Sequence, residues 1–141
     1  MRQLLPALIL ILGSLPAFAE QAPYKGPDYS GSYDCTGEDG HDGAYKSTVT
    51  LKLVREQSFG NYAAYDFEMT VPGFGTYPGH GAATGNTAAI YFANTDQANK
   101  DFGTGIVTFR KAPSDKWKFS KYYYEPVYKD GNHGTEECIQ K

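Results

Sequence analysis

Residues 45–53 read Tyr-Lys-Ser-Thr-Val-Thr-Leu-Lys-Leu, and the alternation of their side chains decides the fold class. One face of this segment carries Tyr45, Ser47, Val49, Leu51 and Leu53, and the other carries Lys46, Thr48, Thr50 and Lys52. Because successive side chains of a strand point to opposite sides, the pattern predicts a half-buried antiparallel strand.

Short runs rich in β-branched and aromatic residues recur along the chain, each bounded by Gly, Pro, Asn or Asp. They lie at 62–71, 87–93, 103–111 and 117–124, and the segments 30–36 and around Cys138 add a first and a last strand. No window shows the apolar spacing of an amphipathic helix, so we expect about one helical turn, near Asp96 to Asp101.

Six to eight consecutive strands predict an all-β protein, a small antiparallel meander closed into a barrel. A two-sheet β-sandwich is the alternative, because strand counting does not distinguish closure from stacking. Cys35 and Cys138 predict one disulfide, which would close a loop of 138 − 35 = 103 residues and join the first and last strands.

The first nineteen residues predict a signal peptide. Arg2 precedes an apolar stretch from Leu4 to Leu15, and Ala17-Phe18-Ala19 is a small-x-small cleavage site. We expect a flexible N-terminal arm at 20–29, a single β domain at 30–141, and a periplasmic or secreted location. No later apolar stretch is long enough to predict a membrane span.

Cleavage would remove one of 13 basic residues and no acidic ones, leaving 12 − 16 = −4 as the net charge. An acidic chain with no Lys/Arg run argues against nucleic acid as a partner. No Ser lies in a recognised nucleophile motif, and both cysteines are assigned to the disulfide, so no catalytic residue is predicted and the chain is expected not to be an enzyme. No cofactor is expected.

Two polar stretches flank the cysteines and would be brought together by them. If Cys35 faces Cys138 in antiparallel register, His41 falls opposite Asn132 and beside His133. This arrangement makes His41, His133, Asp39 and Glu136 candidate metal ligands, since imidazole and carboxylate suit zinc. Solvated hairpin turns are the leading interpretation of these two stretches, and an acid–base pair is the other alternative.

Residues 72–86 contain five glycines and two prolines and predict a long loop that displays Phe74, Tyr77 and His80 to a partner. In the alternative interpretation Phe74 and Tyr77 fold inward, with a short strand at 75–80. The run Tyr122-Tyr123-Tyr124 would place Tyr123 inside and Tyr122 and Tyr124 outside, where they form a candidate partner-binding groove.

Gly31-Ser32-Tyr33 resembles the Gly-x-aromatic opening of lipocalin-like barrels, and an exported barrel closed by a disulfide is similar to the bacterial periplasmic lysozyme inhibitors. These likenesses assign no family and serve as analogies for small exported barrels. The first functional hypothesis is a non-enzymatic module that binds an extracellular or periplasmic protein, for example as an inhibitor of a secreted enzyme. The second is a lipocalin-like barrel that binds a small apolar ligand, and the third is a metal-dependent hydrolase or metal carrier.

Overall fold

A computed structural model describes residues 21–141 of the chain, and the predicted signal peptide at 1–19 lies outside the described residues. The strands are β1 (Gly31–Asp39), β2 (Gly43–Leu53), β3 (Tyr62–Val71), β4 (Gly75–Thr84), β5 (Thr87–Ala93), β6 (Phe102–Lys111), β7 (Trp117–Glu125) and β8 (Asn132–Gln140). Three single 3₁₀ turns lie at Arg55–Gln57, Gln97–Asn99 and Tyr128–Asp130. None of the described helical segments is long and apolar enough to cross a bilayer.

Each strand pairs antiparallel with the next, and β8 returns to pair with β1, so the sheet closes into an eight-stranded barrel. Closure leaves no free edge among the described strands, which removes a site for unwanted pairing. The predicted meander and barrel are confirmed, and the sandwich alternative is not.

The disulfide joins the barrel at its seam. Cys35 lies directly opposite Cys138 in the β1–β8 ladder, and their sulfur atoms are bonded at 1.99 Å. The predicted register continues to the pair of Asp39 and Gly134. The disulfide is compatible with an oxidising, exported environment.

The segment predicted as a long loop at 72–86 is mostly strand, which corrects that interpretation. Only a turn at 72–74 and another at 85–86 remain outside β4. The glycines serve close strand packing as well as turns, because a Cβ on Gly79 would lie 1.8 Å from the carbonyl oxygen of Tyr91 on β5. Glycine content alone therefore gave the wrong element here.

The two ends of the barrel differ. At one end, which we call the closed end, the residues before β1 pack across the opening. Tyr29 is 1% exposed, stacks on Phe109 with ring centroids 3.8 Å apart, and donates from its hydroxyl to the carbonyl of Gly85. The predicted arm at 20–29 thus contains a residue of the hydrophobic core. The opposite end, which we call the mouth, is bordered by the turns and connections at 40–42, 72–74, 94–101 and 126–131.

Candidate functional site

Two adjacent rows of exposed residues cross the outer surface from β4 to β8. The first row is His80, Tyr91, Thr104, Tyr124 and His133, and the second is Ala82, Ala89, Ile106, Tyr122 and Thr135. None of these ten positions holds Asp, Glu, Lys or Arg, although charged residues make up 21% of the chain. We call this surface the aromatic face.

Strand alternation sets the outward direction of these side chains. Tyr122 and Tyr124 are 50% and 48% exposed, whereas Tyr123 between them is 4% exposed, as the sequence pattern predicted. Ile106 is 60% exposed and lies directly across from Tyr122. Tyr91 is 41% exposed and packs against the His80 ring at 5.4 Å.

Sequence reasoning missed Tyr91 and Ile106. Tyr91 follows the buried Ile90, and Ile106 precedes the buried Val107, in strands whose side chains alternate between inside and outside. This alternation identifies Tyr91 and Ile106 as outward-facing. The sequence did not indicate that they neighbour Tyr122 and Tyr124, because that depends on how β5, β6 and β7 align.

The three residues expected on one displayed loop lie in three places. Phe74 is 45% exposed in the turn at the mouth, Tyr77 is 4% exposed inside the barrel, and His80 is on the aromatic face. Tyr77 therefore reaches the interior, where its hydroxyl donates to Asp101 Oδ2 at 2.7 Å.

A cavity of about 60 Å³ opens at the mouth, and we call it the mouth cavity. Its wall is both aromatic and acidic, and Lys121 lies on its inner side. Lining residues include Phe74, Tyr77, Phe92, Asp101, Tyr123 and Glu125. Four phenols and four carboxyls thus share one partly enclosed space.

Hydrogen bonds fix the acidic groups of this wall. Tyr123 donates from its hydroxyl to Asp39 Oδ2 at 2.7 Å. The Nδ2 amide of Asn132 donates to that same Asp39 oxygen at 2.7 Å and to Glu125 Oε2 at 2.5 Å. The carboxyls of Asp39 and Glu125, which come from β1 and β7, are therefore joined through one amide on β8.

The surroundings of this wall shift the pKa values of the Glu125 and Asp39 carboxyls in opposite directions. Burial raises the pKa of Glu125 to about 8, and the neighbouring Asp101 adds to the increase against the opposing hydrogen bond from Asn132. Burial also acts against ionisation of Asp39, but the hydrogen bonds from Asn132, Tyr123 and the backbone lower its pKa below the ordinary value.

Behind this wall lies a fully buried ion pair. Lys121 Nζ is 2.5 Å from Glu136 Oε2, and both side chains are 0% exposed. The Ser47 hydroxyl donates to the other Glu136 oxygen at 2.6 Å. The aromatic rings of Phe67, Phe92 and Tyr123 surround the ammonium at centroid distances of 5.4 to 5.5 Å.

The predicted metal ligands are distributed between the turn, the outer surface and the interior. Asp39 and His41 lie at the β1–β2 turn, where His41 Nε2 is 3.0 Å from the carbonyl oxygen of Gly131. His133 is on the aromatic face, and Glu136 is in the barrel interior. Within residues 21–141 a single group of three potential ligands lies within reach of one ion, Cys35, Glu136 and Cys138, and its two sulfurs form the disulfide.

The chain matches no protein-family model, no curated protein and no solved structure.

Proposed function

We propose that this chain is an exported, non-enzymatic module that binds a protein partner through the aromatic face. The partner is an extracellular or periplasmic protein, and inhibition of a secreted enzyme is one form that such binding would take. The observation that carries the proposal is a patch of ten adjacent exposed positions that holds no Asp, Glu, Lys or Arg and contains three tyrosines and an isoleucine.

This composition is that of the centre of a protein interface. Interface centres are depleted of charged residues and enriched in aromatic ones, and Tyr supplies a large contact area with few rotatable bonds. Strand backbones on a closed barrel hold Tyr91, Tyr122 and Tyr124 in fixed relative positions, so little ordering is needed when a partner binds. Charges begin at the margin, where Asp66 continues the first row onto β3 and Glu137 follows Thr135 by two residues on β8.

The two alternative functions receive less support from the structure. The mouth cavity, where a lipocalin-like barrel would hold its ligand, is about 60 Å³ and thus far below the roughly 300 Å³ at which pockets for drug-sized ligands begin. The wider depression of about 640 Å³ is an open groove on the outer surface. The candidate ligands for a metal are separated between the outer surface and the barrel interior. Export, and with it an extracellular partner, is supported by the disulfide and by the predicted signal peptide.

The test compares capture by the wild-type protein with capture by a variant of the aromatic face. Immobilised protein is incubated with an extract of secreted and envelope proteins, the captured partner is identified, and its affinity is then measured with purified components. We expect Tyr122→Ala with Tyr124→Ala to weaken binding by on the order of 30- to 1,000-fold, since truncated interface tyrosines each cost about 1 to 2 kcal/mol.

Tyr62→Ala is the matched control. Tyr62 is 58% exposed and begins β3, which lies four strands away from β7 in the barrel order, so this substitution should leave the affinity unchanged. Equal capture by the double variant and the wild type would refute the assignment of binding to this face. Retention on a polysaccharide matrix without capture of any protein would refute the protein partner itself.

A further inference from the structure

Two acidic side chains from different segments meet in the wall of the mouth cavity. Asp101 precedes β6 and Glu125 ends β7, and each residue is only 6% exposed. Asp101 Oδ2 accepts a hydrogen bond from Tyr77, but Asp101 Oδ1 is buried and has no donor among the described residues apart from the adjoining Glu125 carboxyl. A buried carboxylate oxygen in this position needs either a proton or a positive charge beside it.

The nearby lysines do not supply that charge. Lys121 is bound to Glu136 deeper in the barrel, and Lys129 is bound to Asp42 at 2.6 Å on the rim. The acidic pair therefore remains without a cationic partner, although it lies in a partly enclosed space where electrostatic interactions are stronger than in water.

Aromatic rings complete the wall around the acids. Phe92 lies 6.2 Å from Tyr77 and 6.0 Å from Tyr123 in edge-to-face contacts, and all three rings line the cavity. Ring faces attract cations, and carboxylates combined with rings are the usual recognition chemistry for ammonium and guanidinium groups.

We propose that the mouth cavity binds a compact organic cation, an ammonium or guanidinium head group, on Asp101 and Glu125. The volume of about 60 Å³ admits a group of a few non-hydrogen atoms. A metal ion fits less well, because within residues 21–141 the acids of the mouth do not form a group of three ligands around one point. The site is separate from the aromatic face, and the proposal does not depend on the function assigned to that face.

The head group could belong to a free amine or guanidine, or to a Lys or Arg side chain of a protein. Both sources present the same chemistry to the acidic pair. Phe74, exposed at the rim, would contact whatever continues outward from the head group. The experiment therefore uses a free probe and a peptide probe.

A proton competes with the cation for this pair. The polar groups that face Glu125 are Asp101, Asp39 from β1, Tyr77 from β4, Tyr123 from β7 and the Asn132 amide from β8. None of them carries a positive charge, so a bound cation competes with the proton that Glu125 holds below its raised pKa. Cation affinity should then increase between pH 6 and pH 9.

The probe is ethylguanidinium chloride, titrated into the purified protein at constant ionic strength and followed by backbone amide NMR shifts. N-ethylurea, its neutral isostere, is the ligand control. We expect saturable shifts at Gly103 and Tyr123 with ethylguanidinium, at least tenfold tighter binding than N-ethylurea, and tighter binding at pH 9 than at pH 6. A parallel titration uses a short peptide with one Arg and the same peptide with citrulline in its place.

At pH 9, where Glu125 is ionised, Asp101→Asn and Glu125→Gln each remove one negative charge at nearly constant shape and should weaken ethylguanidinium binding at least tenfold. Glu38→Gln is the matched control, because Glu38 is an exposed acid near the mouth end of β1 and lies outside the cavity wall. This substitution should change the affinity for ethylguanidinium by less than about twofold. Shifts that do not saturate, equal binding of the urea, or equal losses in all three variants would overturn the proposal. If a cavity variant does not fold, the urea comparison and the pH dependence of the wild type decide the question.

Discussion

Replacing Lys121 by Met tests the energetics of the barrel interior. The substitution removes the cation from a pair in which both side chains are 0% exposed and the charged atoms are 2.5 Å apart. Glu136 would keep the Ser47 hydroxyl as its remaining hydrogen-bond donor, and its charge would be uncompensated. We expect the free energy of unfolding to decrease by about 3–5 kcal/mol, because removing one partner of a buried ion pair leaves the other charge buried without a counter-ion.

The double substitution Lys121→Met with Glu136→Gln removes both charges. Comparing it with the single variant separates the destabilisation caused by an unpaired buried charge from the net contribution of the ion pair to the free energy of unfolding. An uncharged interior avoids desolvating two ions, so the double variant should regain most of the loss and lie within about 1–2 kcal/mol of wild type. Urea unfolding at pH 7, followed by the fluorescence of Trp117, the single tryptophan of the chain, measures all three proteins.

Lys52→Met is the control, because Lys52 is exposed on the outer side of β2 and its loss should change stability by less than about 0.5 kcal/mol. A Lys121→Met variant within about 1 kcal/mol of wild type would refute the reasoning, since it would mean that the Glu136 carboxylate is solvated or pairs elsewhere. A double variant as unstable as the single one would show that shape, and not charge, sets the cost.

Three further outcomes are expected. Cys35→Ala or Cys138→Ala should lower the free energy of unfolding by about 2–5 kcal/mol, because the cross-link spans 103 residues, and peptide mapping of the unreduced wild type should recover the Cys35–Cys138 pair. The stability of the wild type should decrease as pH rises from about 5 to about 8. Folded Glu125 keeps its proton up to a pKa of about 8, whereas Glu125 in the unfolded chain releases it at about 4.3. The thermal midpoint of Glu125→Gln should not show this decrease over the same pH range. Tyr77→Ala should cost about 3–5 kcal/mol in chemical denaturation, whereas Phe74→Ala, at an exposed position, should leave the midpoint nearly unchanged.

The different effects expected for Tyr77 and Phe74 replace the outcome that a displayed loop would give. As parts of a displayed loop, Phe74 and Tyr77 would behave alike, and their joint replacement would affect binding and not stability. The structure gives Tyr77 a place in the core and leaves Phe74 at the rim, so the two substitutions should have different effects. Measuring them singly therefore distinguishes the strand from the loop.

The sequence by itself determined the all-β class, most of the strands and the disulfide, and it favoured the barrel over the sandwich. Alternation in residues 45–53 marks inside and outside because side chains of a strand change sides at every residue, and this rule is local. It also placed Tyr122 and Tyr124 outside and Tyr123 inside. Two cysteines allow one disulfide, and the register predicted for antiparallel first and last strands with Cys35 opposite Cys138 is the one observed between β1 and β8.

Tertiary structure alone decided which side chains meet. The register of β4 to β8 brings Tyr91 and Ile106 beside Tyr122 and Tyr124, although these residues come from three separate strands. Closure of the barrel turns Glu136 inward to pair with Lys121. It likewise joins Asp101 and Glu125 at the mouth. Such contacts depend on strand alignment and curvature over the whole barrel, and local residue patterns do not contain that information.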